Sequence, residues 1–341
     1  MIGKVNDDFF KNAILPETGA CSPEVIVGPS MGVDAAILKI GDQFMAIAED
    51  PIFPGPTTSP EDYGWITVHI GASDVAVTGI KPQFMTYSLL LPPETSEAYI
   101  TRLVRSISVT ARELGIAIVG GHTGFYGAVT VPTIGGITVW GMGREYVTTA
   151  GAQVGDMVLI TKGAAIEAAA LLGSELGSRL RAAGIAGELV EQASRRIKEM
   201  TVVEDALLAA ACGGVHAMHD ATEGGLTRGL WEVAEASKVG LRIQRSLVMV
   251  PPDIKAVCNH FKLDPYEVIS EGTLVLTVAP EQVGSVLTAY EKAGIPAAVI
   301  GKVVPRAKGR RWVEAGGREQ DLLPPRVDHF WEAFFGAIEQ G

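Results

Sequence analysis

The chain has 341 residues, 47% of them apolar and 20% charged, with a formal net charge of −11. One core rarely grows past roughly 250–300 residues, so this length points to two domains, and the apolar share excludes a disordered chain. The acidic balance repels phosphate backbones, so no nucleic-acid partner is expected. The cysteines, Cys21, Cys212 and Cys258, are odd in number and widely spaced, which argues against a disulfide framework and against zinc. The opening stretch MIGKVNDDFFKNAILPETG has no signal-peptide core. No apolar run approaches the ~20 residues of a bilayer span, so the expected location is cytoplasmic, with no membrane contact.

In chain order, residues 35–40 and 44–48 read as two strands around Gly41-Asp42. A long helix starts at Ser59-Pro60-Glu61-Asp62, where Ser59 can cap, Pro60 suits the first turn and the two acids complement the helix end. Trp65, Val68, Ala72, Val75, Ala76 and Gly79 recur at helical spacing, and Lys81-Pro82 stops the run. Residues 83–91 read as a strand, 95–114 as a helix closed by Gly115, and 116–119 and 129–140 as strands. The texture changes near residue 150, which sets an N-terminal domain at 1–150 and a C-terminal domain at 151–341. The second part opens on a strand at 157–161. Helices are expected near 164–175, 187–211, 223–237, 252–262 and 280–293, with strands near 215–218, 240–244, 273–278 and 297–303. Phe330, Trp331, Phe334 and Phe335 suggest one apolar face of a short closing helix.

Three aspartates of the first domain stand beside element ends. Asp34 follows a glycine-containing loop, Asp50 ends a strand, and Asp74 sits among small residues in the long helix. Each alone fits a cap, a turn or a solvated position. Together they fit a magnesium–phosphate site, because crowded carboxylates repel unless a cation joins them, and magnesium takes one or two carboxylates plus waters and phosphate oxygens. Gly120-Gly121-His122-Thr123-Gly124 follows an apolar strand. It reads either as a plain turn or as a ligand loop whose backbone N–H groups face a phosphate. The chain has no GxxxxGK[ST] loop and no kinase-type motif set. His219-Asp220-Ala221-Thr222-Glu223-Gly224-Gly225 joins a strand to a helix. Asp220 or Thr222 can cap that helix and Glu223 suits its first turn, but capping leaves His219 and the glycine pair unexplained.

In this order the motifs resemble the aminoimidazole ribonucleotide synthase superfamily, the PurM-like proteins. The matching segments are Gly-x-Asp-Ala-Ala at 32–36, the helix around Asp74, Gly-Gly-x-Thr at 120–123, Gly155-Asp156, and His-Asp-x-Thr-x-Gly-Gly-Leu at 219–226. Leu263-Asp264-Pro265 and Ser270-Glu271-Gly272-Thr273-Leu274 make the hydrogenase maturation type, HypE, the most similar branch. The resemblance implies an α/β (α+β) two-domain fold, with a mixed N-terminal sheet pairing across a homodimer and a C-terminal α/β domain carrying the substrate. It implies ATP bound by Asp34, Asp50, Asp74, Gly120, Gly121, His122, Thr123 and Thr222. Mg2+ would be held by Asp34, Asp50, Asp74 and Asp220, with His219, Asp220 and Glu223 as catalytic residues. The implied activity is ATP-dependent phosphorylation of an oxygen of a small or protein-bound substrate, with a hydrogenase maturation carbamoyltransferase as a partner. A thiamine-monophosphate-kinase-like small-molecule kinase and a non-catalytic nucleotide-binding regulatory dimer are the alternatives.

Two features depart from the family pattern. His122 stands where an acidic residue is usual, and neutral histidine is a poor magnesium ligand. Pro324-Pro325-Arg326-Val327 stands where a Pro-Arg-x-Cys tail is usual, and no cysteine follows Cys258, so no carbamoyl group is expected on the chain's own tail. Cys21 lies in a loop, as the reactive residue of selenophosphate synthetase does, but its flanks differ.

Overall fold

In a computed structural model of the chain, residues 3–339 are described. A short helical turn, α1 (Asp7–Phe9), runs into a π-helical turn at Phe10–Ile14. The first sheet collects β1 (Val25–Val27), β2 (Ala36–Ile40), β3 (Gln43–Ile52), β4 (Phe84–Leu91), β5 (Ala117–Phe125) and β6 (Thr133–Gly143), in the order β1-β2-β3-β6-β4-β5. Only the β4–β5 pairing is parallel. Two helices cover one face, α2 (Pro60–Ala76) and α3 (Glu97–Leu114). Ser59 caps α2 as expected, accepting the Asp62 N–H at 3.0 Å. Gly115 closes α3 at φ 72°, a left-handed position that suits glycine.

The second sheet holds β7 (Met157–Thr161), β8 (Val215–Ala221), β9 (Gly240–Gln244), β10 (Thr273–Val278), β11 (Ala297–Val304), β12 (Arg310–Val313) and β13 (Glu319–Asp321). Their order is β13-β12-β9-β11-β7-β10-β8. Around it lie α4 (Ile166–Glu175), α5 (Gly177–Ala182), α6 (Gly187–Arg195), α7 (Val203–Cys212), α8 (Gly225–Ala236), α9 (Pro252–Phe261), α10 (Val283–Ala293) and α11 (His329–Glu339). Neighbouring positions of β10 feed opposite cores. Leu274 and Leu276 face the helices shared with the first sheet, whereas Val275 faces the α8 side. The shared core is continuous: α2 packs on α7 and β8, and Ser73 of α2 accepts the Val202 N–H at 3.0 Å.

Three expectations are corrected. The sequence suggests a strand ending at Val119 and then a ligand loop at 120–124, but β5 runs straight through these residues as an edge strand parallel to β4. Gly121, at φ +143°, passes so close to β4 that a Cβ there would meet the Tyr87 carbonyl oxygen, so strand packing alone already demands glycine. The single helix expected at 187–211 is broken into α6, a 3-10 turn at Arg196–Glu199, and α7. The break lets Arg196 reach Asp253 and lets the Thr201 carbonyl accept from Lys162 Nζ at 2.5 Å. Finally, neither Asp220 nor Thr222 caps α8 with its side chain. The Gly224 N–H is taken by Asp328 at 2.8 Å, and the Thr227 N–H by the Tyr266 carbonyl. Among the described residues no helix is long and apolar enough to cross a membrane.

Candidate functional site

The loop ahead of β2 presses against α8. Gly32, at φ +70°, leaves no room for a Cβ, which would lie 2.8 Å from Cβ of Glu232. The approach delivers Asp34 to His219 at the β8 end, with Asp34 Oδ1 2.8 Å from His219 Nδ1. The other ring nitrogen, Nε2, lies 2.8 Å from Glu232 Oε2. Burial works against charge on this imidazole, but the flanking Asp34 and Glu232 carboxylates more than offset it and push its pKa up to about 10. His219 is therefore an imidazolium with both N–H groups engaged, clasping the two halves of the chain. In this arrangement it has no free nitrogen with which to accept a proton.

Asp50 and Asp74 form a second pair. Asp50 is carried on β3, and Asp74 comes from the last turn of α2. Burial, then Asp50 and Asp34, raise the Asp74 carboxyl well above the usual carboxylate range. Asp50 is raised by burial too, partly countered by its hydrogen bond with Asp74 and by Lys4. The two carboxyls can share a hydrogen bond only if one keeps its proton.

Asp220 is fully buried, and among the described residues its oxygens meet no N–H or hydroxyl donor, only the carboxyl of Glu271, which must keep a proton to bond it. The Glu271 carboxyl is itself raised well above the ordinary range by burial and by Asp220. Burial, with Asp34 adding to it, pushes Asp220 up to about 7, while Glu271, His219 and Lys162 pull the other way. Glu167 accepts the Glu271 N–H at 3.1 Å, and burial pushes its carboxyl up to about 8. Asp34, Asp50, Asp74 and Asp220 thus lie within electrostatic reach of one another, on a loop, two strands and a helix.

The remaining candidates fall in different places. Thr222 Oγ1 accepts from Lys4 Nζ at 3.1 Å, and the Glu223 carboxylate accepts the Lys4 N–H at 2.9 and 3.0 Å. Gly120, Gly121, His122 and Thr123 lie on the β5 edge. The register runs Asp50–Ile137–Tyr87–Gly121 across three strand spacings, which is about 14 Å. Among the described residues no hydrogen bond or ion pair joins this stretch to the carboxylates, and His122 Nε2 instead lies 2.5 Å from the Tyr126 hydroxyl. Asp156 of the Gly-Asp motif binds His216 and the Gln153 N–H, a turn-forming part. Lys4, Glu167, Glu232, Glu271 and Asp328 are the site neighbours that sequence reasoning missed. Only Glu271, inside the Ser-Glu-Gly-Thr motif, and Glu232, one helical turn from Arg228, carried any signal.

The donor set suits magnesium. Among the described residues no group of three or more His, Cys, Asp or Glu side chains forms a ready-made metal cage. Magnesium does not need one, because it keeps waters and takes substrate phosphate oxygens beside one or two carboxylates. Buried carboxyls of raised pKa, with no N–H or hydroxyl donor on Asp220, are groups that a divalent cation would draw into the ionised form.

Two family models match the chain, "AIR synthase related protein, N-terminal domain" over residues 32–142 and "AIR synthase related protein, C-terminal domain" over 153–314. A putative hydrogenase expression/formation protein of Methanocaldococcus jannaschii is 27% identical over 317 residues, covering 90% of this chain and 90% of its own. The carbamoyl dehydratase HypE of Escherichia coli is 32% identical over 291 residues, covering 82% and 80%. The crystal structure of E. coli HypE superposes with a TM-score of 0.71 at 28% identity, covering 83% of this chain and 86% of its own. A structure of HypE in complex with ATP superposes at 0.68, covering 94% and 93%, and at 23% identity it shows the shared fold. The expected two-domain PurM-like α/β architecture and the HypE-type resemblance are both borne out. With both domain models matched in order across most of its length, the chain belongs to the AIR synthase related family.

Proposed function

We propose that this chain is an ATP-dependent enzyme that activates an oxygen of a small or protein-bound substrate by phosphorylation, in the manner of the HypE branch. One observation carries the reading. Four aspartates from four separate elements converge within electrostatic reach of one another, and one of them, Asp220, is fully buried with the carboxyl of Glu271 as its hydrogen-bond partner and no N–H or hydroxyl donor. Such an arrangement is costly for a fold to keep unless a cation and its ligand use it.

Asp34, Asp50, Asp74 and Asp220 are the residues that would hold magnesium. When bound there, the ion offsets charge on the phosphates and on the transferring phosphoryl group. The chain's own residues do the rest. His219 fixes Asp34 beside Glu232, so that Asp34 keeps one rotamer. The Asp220–Glu271 pair holds a proton between facing carboxyls and can take one up from, or return one to, an acceptor in the second domain. Thr222 and Glu223 sit at the turn between β8 and α8, where an acceptor would meet the phosphates.

A homodimer belongs to the same proposal. β5 is an unpaired edge, and Ile118, Val119, Phe125 and Phe84 on or beside it are each at least 36% exposed. An apolar edge of this length invites pairing with a second sheet. Pairing would also place Gly120–Thr123 against a partner surface, where their N–H groups could serve the nucleotide. A hydrogenase maturation carbamoyltransferase is the partner that this reading implies.

The test is ADP release by the purified chain with magnesium and ATP, screened against carbamoylated peptide, thiamine phosphate and selenide as acceptors. Stimulation by one of them supports the reading. No ATP turnover with any acceptor, together with undiminished nucleotide binding, would favour a non-catalytic binding module.

A further inference from the structure

The segment Gly3–Phe9 lies against the turn between β8 and α8, with Lys4 on Thr222 and Glu223. Polar contacts hold it to the rest of the chain. The Lys4 N–H forks onto both Glu223 oxygens, Asn6 caps α1, and Asp7 meets Arg228 at 3.2 Å. No residue of α1 is buried. A strap fixed by exposed and half-exposed polar pairs costs little to lift, because such pairs contribute about 0–1 kcal/mol each.

Lys4 is the residue that the strap presents. The residue as a whole is exposed, but its ammonium end turns inward and donates to Thr222 Oγ1 at 3.1 Å. No carboxylate oxygen lies within ion-pair distance of it among the described residues. Glu232, Asp74, Asp34 and Glu223 nonetheless surround it closely enough to hold it protonated, against the effect of burial. The ammonium therefore stands beside the carboxylates without occupying them. A magnesium-bound phosphate turns positive charge toward the carboxylates and negative charge toward the ammonium, so it is complementary to both.

The strap also joins the internal clasp. Asp7, Arg228, Glu232, His219 and Asp34 form one chain of alternating charge, with Arg228 3.7 Å from Glu232. The position of the strap is thus tied to the residue that fixes Asp34.

We propose that Lys4 is a substrate-contacting residue: its ammonium, carried on the Gly3–Phe9 strap, binds the terminal phosphate of the nucleotide held by Asp34, Asp50, Asp74 and Asp220. The proposal rests on the ATP reading and deepens it, by assigning the positive partner of the phosphate end to a segment outside both family domains. A lysine donates as a compact point charge, which suits a terminal phosphate that carries the most charge of the three.

The test is calorimetric titration of the full chain with magnesium and either ADP or the non-hydrolysable triphosphate AMPPCP. Losing one charge-assisted contact costs about tenfold in affinity, so Lys4→Met should weaken AMPPCP binding by about that factor. ADP affinity should stay within about threefold, since ADP lacks the phosphate in question. Lys4→Arg keeps the charge and should keep the preference for triphosphate. Asp7→Ala leaves the ammonium but frees the strap, and should lose part of it. In turnover, Lys4→Met should lower kcat for ADP release with unchanged thermal unfolding. Equal weakening of both nucleotides, or no weakening of either, would overturn the assignment of Lys4 while leaving the ATP reading intact. Failure of the native chain to bind either nucleotide would overturn both.

Discussion

Replacing Asp220 by asparagine should make the metal-free protein more stable while removing its response to magnesium and ATP. Asp220 is fully buried, meets no N–H or hydroxyl donor, and faces the carboxyl of Glu271. Burial, helped by Asp34, lifts its pKa from the ordinary 3.8 to about 7. An acid whose folded pKa is raised gives its full stability below the unfolded pKa and loses it as pH rises through the folded value. The cost of Asp220 therefore builds up between about pH 4 and pH 7 and is complete above that, and its protonated form is nearly isosteric with asparagine. The new amide would also donate to Glu271, whose Oε1 is unpartnered. A buried polar group left unsatisfied costs about 1–3 kcal/mol, so Asp220→Asn should gain about that much at pH 8 and little at about pH 4, near the unfolded pKa. At roughly 2–4 °C per kcal/mol, the gain at pH 8 is a rise of several degrees in Tm. Differential scanning calorimetry at both pH values, with and without magnesium and ATP, decides the matter. A variant less stable than the native chain at pH 8, or one that gains equally at both pH values, would refute the reasoning.

His219→Ala strands Asp34 and Glu232, whose side chains are 11% and 14% exposed, without their shared cation. Breaking a buried ion pair in this way costs about 3–5 kcal/mol in denaturant unfolding, and adding Glu232→Gln should recover part of it. Phe330, on α11, is fully buried, so Phe330→Ala should cost about 3–5 kcal/mol in the same assay, while ADP release per folded molecule stays unchanged. The exposed β5 edge predicts a dimer by light scattering at micromolar concentration, and a charge placed there by Val119→Lys should shift it toward monomer. A native chain that is monomeric throughout that range would remove the dimer from the proposal.

Much of the architecture was legible because local signals agreed with the final fold. Ser59-Pro60-Glu61-Asp62 marks the start of α2 by chemistry that the structure uses, with Ser59 as the cap. The misreadings arose where tertiary contacts prevail. Glycines normally weaken a strand, so 120–124 looked like a loop, whereas the β4 backbone presses against Gly121 and requires it. The apolar rhythm of 187–211 continues through the break at Arg196–Glu199, because Arg196 and Thr201 answer to Asp253 and Lys162 rather than to the helix. The site was legible only as an ordered set of motifs. Asp34 and His219 are 185 residues apart, and nothing in either neighbourhood reveals the other. Glu232, Glu271 and Lys4 joined the site through such long-range meetings. The Gly224-Gly225 pair, which looked like ligand-binding material, has a packing reason. A Cβ at Gly225 would strike the Val268 carbonyl oxygen, and Gly224, at φ +79°, offers its N–H to Asp328.

The most direct measurement is calorimetric titration of the native chain and of Asp50→Asn with ATP, each with and without magnesium. Asp50 lies beside Asp74 and near Asp34 and is the member of the cation set carried on β3. ATP should bind the native chain in a magnesium-dependent manner, and Asp50→Asn should weaken it at least tenfold, about 1.4 kcal/mol. Binding that is indifferent to magnesium, or an Asp50→Asn affinity equal to that of the native chain, would contradict a magnesium–ATP site built from these carboxylates.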